Sequence, residues 1–145
     1  MAKQPRILII DGQGGRIGSR LVTLLKEQCP HGVLTAVGTN SMATASMIKA
    51  GAENAATGEN AVVVNARRAD VIVGPIGIVI ADALLGEITP AMAVAVGQSA
   101  AEKILIPVNR CENQVVGVEN LPVSDLLNRA VEMIRQLTEN TNGRD

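Results

Sequence analysis

The sequence predicts an α/β fold: a doubly wound, mostly parallel sheet of about five or six strands with helices on both faces. Three observations carry this. An apolar run at residues 7–10, Ile-Leu-Ile-Ile, passes through Asp11 into glycines at 12, 14, 15 and 18, and then into Ile17, Leu21, Leu24 and Leu25 at helical spacing. Short apolar runs alternate with helical patterns along the chain, as parallel strands joined by crossover helices require. The 145 residues, 47% of them hydrophobic, fit one domain with a sizeable core.

Each element has its own signals. The first strand covers residues 6–10 and its helix 15–28. The second strand covers 33–37. Its helix, 41–50, is closed by Gly51, just past the end, where a left-handed residue is favoured. A short third strand lies near 53–56, and Thr57 has the character of an N-cap for a helix through Arg67. Asp70 introduces a fourth strand at 71–73. The apolar stretch 76–85 fits a strand extension or a buried helix, which periodicity does not separate. Thr89-Pro90 marks a helix start, with an N-cap and then proline in the first turn, and that helix ends near Ala101.

A fifth strand covers 104–108 and a sixth 115–118. After Pro122, Ser124 caps a last helix whose Leu127, Val131, Ile134 and Leu137 face inward. Residues 139–145 form a tail expected to fray. No internal repeat, linker or second domain is visible, so the whole chain, 1–145, reads as one domain.

The glycine spacing is that of a phosphate-binding turn, G-x-x-G-x-x-G through Gly12, Gly15 and Gly18, with Gln13 and Gly14 between and Arg16 and Ile17 opening the helix. Gly12 permits the tight turn, Gly15 lets a ligand approach the backbone, and Gly18 lets helix and strand pack closely. The helix is expected to aim free N–H groups and its positive dipole end at an anion. An ordinary tight strand-to-helix turn is the plainer alternative.

Residues 12–18 resemble the loop of dihydrodipicolinate reductases, in which Gly-Gly-Arg, an apolar residue and Gly follow one another. That likeness implies a nicotinamide cofactor, but it stops with the loop. Those reductases need a substrate domain with histidines and a lysine, whereas this short chain has His31 as its one histidine. A second resemblance spans nearly the whole chain. Gly38-Thr39-Asn40, Ala56-Thr57-Gly58-Glu59-Asn60, Gly74-Pro75-Ile76-Gly77-Ile78 and Pro107-Val108-Asn109-Arg110-Cys111 are similar to a bacterial family catalogued only as a domain of unknown function. It implies a small Rossmann-like domain and leaves the activity open.

In a sheet of this kind ligands gather beyond the carboxyl ends of the strands. The candidate site is therefore Asp11, Gly12, Gln13, Gly14, Gly15, Arg16, Ile17 and Gly18 after the first strand, Thr39 and Asn40 after the second, Gly74 and Pro75 after the fourth, and Asn109 and Arg110 after the fifth. Asp11 could hold Mg²⁺, bond a ribose hydroxyl or fix the loop through backbone N–H groups. Arg16 could clamp a phosphate or lie solvated. Thr39 and Asn40 could meet a ribose or a 2′-phosphate, or Asn40 could simply cap the next helix. Dehydrogenases selective for NAD place an acid there, which this chain lacks. Arg110 is a candidate anion contact, and Cys111 has no histidine to activate it. Glu59 and Asn60 are explained by a helix start. Asp82 and Glu87 interrupt an apolar region without a role the sequence assigns.

Composition excludes several classes. The chain has no Phe, Tyr or Trp, a net charge of −1 and a pI near 5.8, which gives nucleic acid neither stacking platforms nor a basic footprint. No signal peptide is expected at the N-terminus, and charges and Pro90 break the apolar stretch 71–97, so no membrane span is expected. Cys29 and Cys111, without a secretory signal, imply free thiols in the cytoplasm. No residue cluster has metal-ligand spacing. The expected function is binding of a small anionic or phosphorylated ligand, a nucleotide or another metabolite, at the 12–18 turn, without an acid–base pair that would define a reaction. The alternative is an NAD(P)-dependent oxidoreductase whose site is completed by a partner subunit. The mean hydropathy of +0.24 and the apolar stretch 76–96 suggest at least a homodimer.

Overall fold

A computed structural model describes residues 4–108 and 112–142. Five strands form one all-parallel sheet: β1 (Arg6–Asp11), β2 (Val33–Gly38), β3 (Asn54–Thr57), β4 (Val71–Pro75) and β5 (Glu102–Ile106), in the order β3-β2-β1-β4-β5. Five helices connect or flank them: α1 (Arg16–Gln28), α2 (Ser41–Lys49), α3 (Glu59–Arg68), α4 (Pro90–Gln98) and α5 (Val123–Asn142). The chain steps from β1 outward to β3, then crosses back to β4 and onward to β5. The direction of winding therefore reverses between β1 and β4.

Two apolar layers cover the sheet. Ile7 and Ile9 face a core with Leu21, Val22 and Leu25 of α1, Met47 of α2, and Leu127, Val131 and Ile134 of α5. Leu8 and Ile10 alternate to the other face, against Val62 and Ala66 of α3 and Met92 and Val96 of α4. Such double burial is why β1 reads as an unbroken apolar run rather than an alternating one. Burying one such Ile or Leu side chain is worth about 1.5–3 kcal/mol, so both layers contribute to holding β1 in register with β2 and β4.

Several boundaries differ from the sequence expectations, each for a local reason. Thr57 does not cap α3. It is the last residue of β3, its hydroxyl shares a 2.7 Å hydrogen bond with Thr44, and Gly58 at φ 102 makes the turn into Glu59. The fourth helix stops at Gln98, and Ser99 turns the chain by donating to the Ala66 carbonyl and accepting the Ala101 amide. β5 then starts and ends two residues early. Pro107, without an N–H for the ladder, follows its last residue. No strand forms at 115–118: Val116 is fully exposed and Gly117 adopts φ 85. Ser124 lies inside α5, not ahead of it. The Pro122 carbonyl accepts the Asp125 and Leu126 amides and starts that helix, which runs to Asn142, into the stretch assigned to the tail.

The expectations that rest on strong local chemistry match. Thr89 accepts the Met92 amide ahead of Pro90, and Gly51, at φ 116, donates to the Ile48 carbonyl at the end of α2. The ambiguous stretch after β4 is neither strand nor α-helix. It is a 3₁₀ turn, Ile76–Val79, followed by successive turns in which Asp82, Leu84, Leu85 and Gly86 take positive φ. Among the described residues, no helix is long and apolar enough to cross a membrane.

Candidate functional site

The crevice where the winding reverses is the place to look for a ligand. At this switch point the turn Gly12–Gly15 meets the tip of β2 and the long connection from β4 to α4. The turn is tight: the Gly15 amide donates to the Gly12 carbonyl at 2.9 Å, and Gln13 takes φ 50. The three spaced glycines each answer to a different neighbour. A Cβ on Gly18 would lie 2.9 Å from the Asp11 Cβ and 2.5 Å from the Met47 sulfur, so Gly18 permits the close packing of α1 on β1. A Cβ on Gly15 would lie 2.8 Å from the Ala43 carbonyl oxygen. Its absence accommodates α2, a packing role that the spacing did not suggest. A Cβ on Gly12 would meet Thr39 Oγ1 at 2.6 Å and Leu84 Cδ1 at 2.9 Å. Gly14 faces open space.

The N–H groups of this turn are not all free. Asp11, 5% exposed, accepts the Gly12 amide at 2.8 Å and the Gly18 amide at 2.7 Å, and the Ile17 amide also points to it. Of the roles weighed for Asp11, loop-fixing is the one these bonds display. Burial pushes its carboxyl above the ordinary range. The amides of Gly18, Gly12 and Ile17 offset only part of that rise, and the neighbouring Glu87 charge adds to it. The first turn of α1 is thus partly capped from within, which leaves fewer N–H groups free than the spacing suggested. Among the described residues, the Gly14 and Arg16 amides have no acceptor within the chain, and the Arg16 side chain is exposed.

A second carboxylate reaches the turn from the other wall. Glu87 accepts the Gln13 amide at 3.1 and 3.2 Å through its two oxygens, and its Oε1 also accepts the Thr39 hydroxyl at 2.9 Å and the Asn40 side-chain amide. Asn40 works at both ends. Its Oδ1 accepts the Ala43 amide as the cap of α2, while its Nδ2 donates to Glu87 and to the Gln13 carbonyl. Partial burial by itself would raise the Glu87 carboxyl. The hydrogen bonds from Asn40, Gln13 and Thr39 outweigh it and hold the group below the usual carboxylate range. Ser46 of α2 completes the frame by donating to the Gly14 carbonyl at 3.0 Å.

The switch point therefore brings residues 11–18 together with Thr39 and Asn40, as the sequence grouped them, and adds Glu87 and Leu84, which it did not. Gly74 and Pro75 are buried at the end of β4. Gly74 makes room for the Ile10 carbonyl, 2.3 Å from where its Cβ would be, and serves the sheet. Asn109, Arg110 and Cys111 lie outside the described residues. The Glu59 carboxylate is engaged elsewhere, accepting the Thr89 hydroxyl at 2.6 Å. The signal for Glu87 was available but mute: an acid inside an apolar stretch, with no periodicity to say which wall it joins. A separate cleft lined by Lys26, Cys29, Gly32 and Asn54 opens at the amino-terminal end of the strands, away from the turn.

Compared with known proteins, residues 6–139 match the profile of a family described as Domain of unknown function (DUF3842). No curated protein and no solved structure matches the chain.

Proposed function

The chain belongs to that family, whose description assigns no activity, and from the geometry we propose a binding protein for a nucleotide or related phosphorylated metabolite, seated in the crevice between β1 and β4. The observation that carries the reading is the pair of Gly14 and Arg16 amides, without an acceptor among the described residues, beside an open Gly14 and an exposed Arg16. Two amides and a guanidinium suit one phosphate group. With Asp11 occupying the Gly12, Ile17 and Gly18 amides, the turn has donors for a single phosphate more readily than for a pyrophosphate. This favours a mononucleotide-sized ligand over NAD(P), and binding over hydride transfer.

Calorimetric titration of the chain with 5′-AMP, ATP, NAD, NADP and sugar phosphates tests the reading, with Gly14→Glu as the comparison. That substitution meets nothing within 4 Å at its Cβ and sets a carboxylate against the phosphate position. The reading expects one of the phosphorylated compounds to bind wild type and to lose affinity in the variant at unchanged thermal stability. A cytoplasmic setting goes with it, supported by the free, buried Cys29 thiol. Self-association keeps a narrower support than the sequence suggested. Most of the apolar residues in 76–96 are buried in the second core or packed against it, with Leu85 and Val94 the large apolar side chains left exposed. Light scattering at micromolar concentration tests it; a strict monomer removes it.

A further inference from the structure

Nucleotide-binding sheets commonly carry an acid at the tip of the second strand for the ribose hydroxyls. Here β2 ends in Gly38 and is followed by Thr39 and Asn40. A carboxylate nevertheless stands at that tip, delivered by the connection from β4: Glu87, on the Thr39 hydroxyl, the Asn40 amide and the Gln13 N–H. On the reading that the crevice takes a nucleotide, we infer that Glu87 recognises the ribose, accepting a hydroxyl of its 2′,3′-diol, so that the site selects an intact diol and rejects a 2′-phosphate.

The hydrogen-bond inventory supports this. An ionised carboxylate offers about four lone-pair sites. Thr39 and Asn40 both address Oε1, and the Gln13 N–H is shared between the two oxygens at 3.1 and 3.2 Å. Among the described residues, Oε2 carries only its share of that one donor, and a ribose hydroxyl supplies another. Thr39 Oγ1 gives its hydrogen to Glu87 and keeps lone pairs for the adjacent hydroxyl. Three donors keep the Glu87 carboxyl in its charged form, which accepts hydroxyls and repels phosphate. The acid and the β2 tip thus act together, although 47 residues separate Glu87 from Asn40.

Titration calorimetry of the full chain with 5′-AMP, 2′-deoxy-5′-AMP and adenosine 2′,5′-bisphosphate tests this on wild type, Glu87→Ala and Glu87→Gln. Wild type is expected to bind 5′-AMP about tenfold more tightly than the deoxy compound, as one charge-assisted hydrogen bond allows, and the bisphosphate most weakly. Glu87→Ala is expected to bring the first ratio close to one, and Glu87→Gln to relieve the rejection of the bisphosphate. Thr39→Val, which keeps Glu87, is expected to reduce the first ratio as well and serves if the Glu87 variants fail to fold. Tightening of all three ligands in Glu87→Ala would show a carboxylate standing in the ligand's place and overturn the inference. Unchanged ratios in every variant would reduce Glu87 to a loop pin and overturn it while leaving nucleotide binding intact. No binding of any of the three to folded wild type would remove the nucleotide reading and the inference together.

Discussion

The Asp11 carboxylate at the end of β1 accepts the Gly18 amide at 2.7 Å, seven residues on in the first turn of α1. Strand end and helix start are thereby joined through a side chain, and the same carboxylate takes the Gly12 amide at 2.8 Å. The positive end of the helix dipole faces the Asp11 carboxyl inside the chain. A phosphate at this turn therefore finds part of the usual cradle already filled, and the Gly14 and Arg16 amides become the donors that matter.

Asp11 should leave a characteristic mark on stability against pH. Burial places its folded carboxyl above the unfolded value of about 3.9, so the native state keeps a proton that the unfolded chain has released. Stability from this group is present below the unfolded value and falls as pH rises through the folded one. Urea unfolding of wild type and Asp11→Asn is expected to show the wild-type advantage shrinking as pH rises above about 4. The variant also sets its NH₂ group against backbone N–H donors, at a cost of about 1–3 kcal/mol.

Glu87 should show the opposite slope. Its folded carboxyl lies below the unfolded value of about 4.3, so its stabilisation is present above that value and lost as pH falls through the folded one. Glu87→Ala is expected to lose about 1–2 kcal/mol at neutral pH. The gap to wild type should close in acid, as denaturation curves across that range would record.

The two central glycines of the turn should respond differently. Gly15, at φ 71 with the Ala43 carbonyl 2.8 Å from its missing Cβ, has neither the conformation nor the space for a side chain. Gly15→Ala is expected to lose about 1–3 kcal/mol, whereas Gly14→Ala stays within about 0.5 kcal/mol. Thermal melts of both variants check the contrast. Lost binding in a Gly15 variant would thus reflect a disturbed turn, which is why Gly14 is the position to vary.

Asn40→Asp should separate capping from clamping. Aspartate caps α2 as well as asparagine does. It removes the Nδ2 donor to Glu87 and the Gln13 carbonyl and sets two carboxylates together. Faster amide exchange at Gln13, with α2 protection retained, is the expected result.

What was legible in the sequence was chemistry that acts over a few residues. The Ile-Leu-Ile-Ile run, the glycines after it, Thr89-Pro90 and Gly51 each placed an element, because strand burial, tight turns and caps are local demands. Val115 and Val116 have strand propensity, yet among the described residues no partner strand accompanies them: Pro107 follows the end of β5, and Gly117 turns the chain. Glu87 joins the turn only because the connection 76–89 folds back over Gly12, through left-handed residues at 82 and 84–86 that no periodicity announces. Gly15 was recognised as necessary, but its partner, the backbone of α2, comes from tertiary packing.

The most direct test of the account is a titration of ¹⁵N-labelled chain with 5′-AMP, followed by amide shifts. The expected result is saturable change centred on Gln13, Gly14, Arg16, Thr39 and Asn40. Change centred instead on the cleft of Lys26, Gly32 and Asn54, or no change at millimolar ligand, would contradict the central claim that the crevice between β1 and β4 is a nucleotide site.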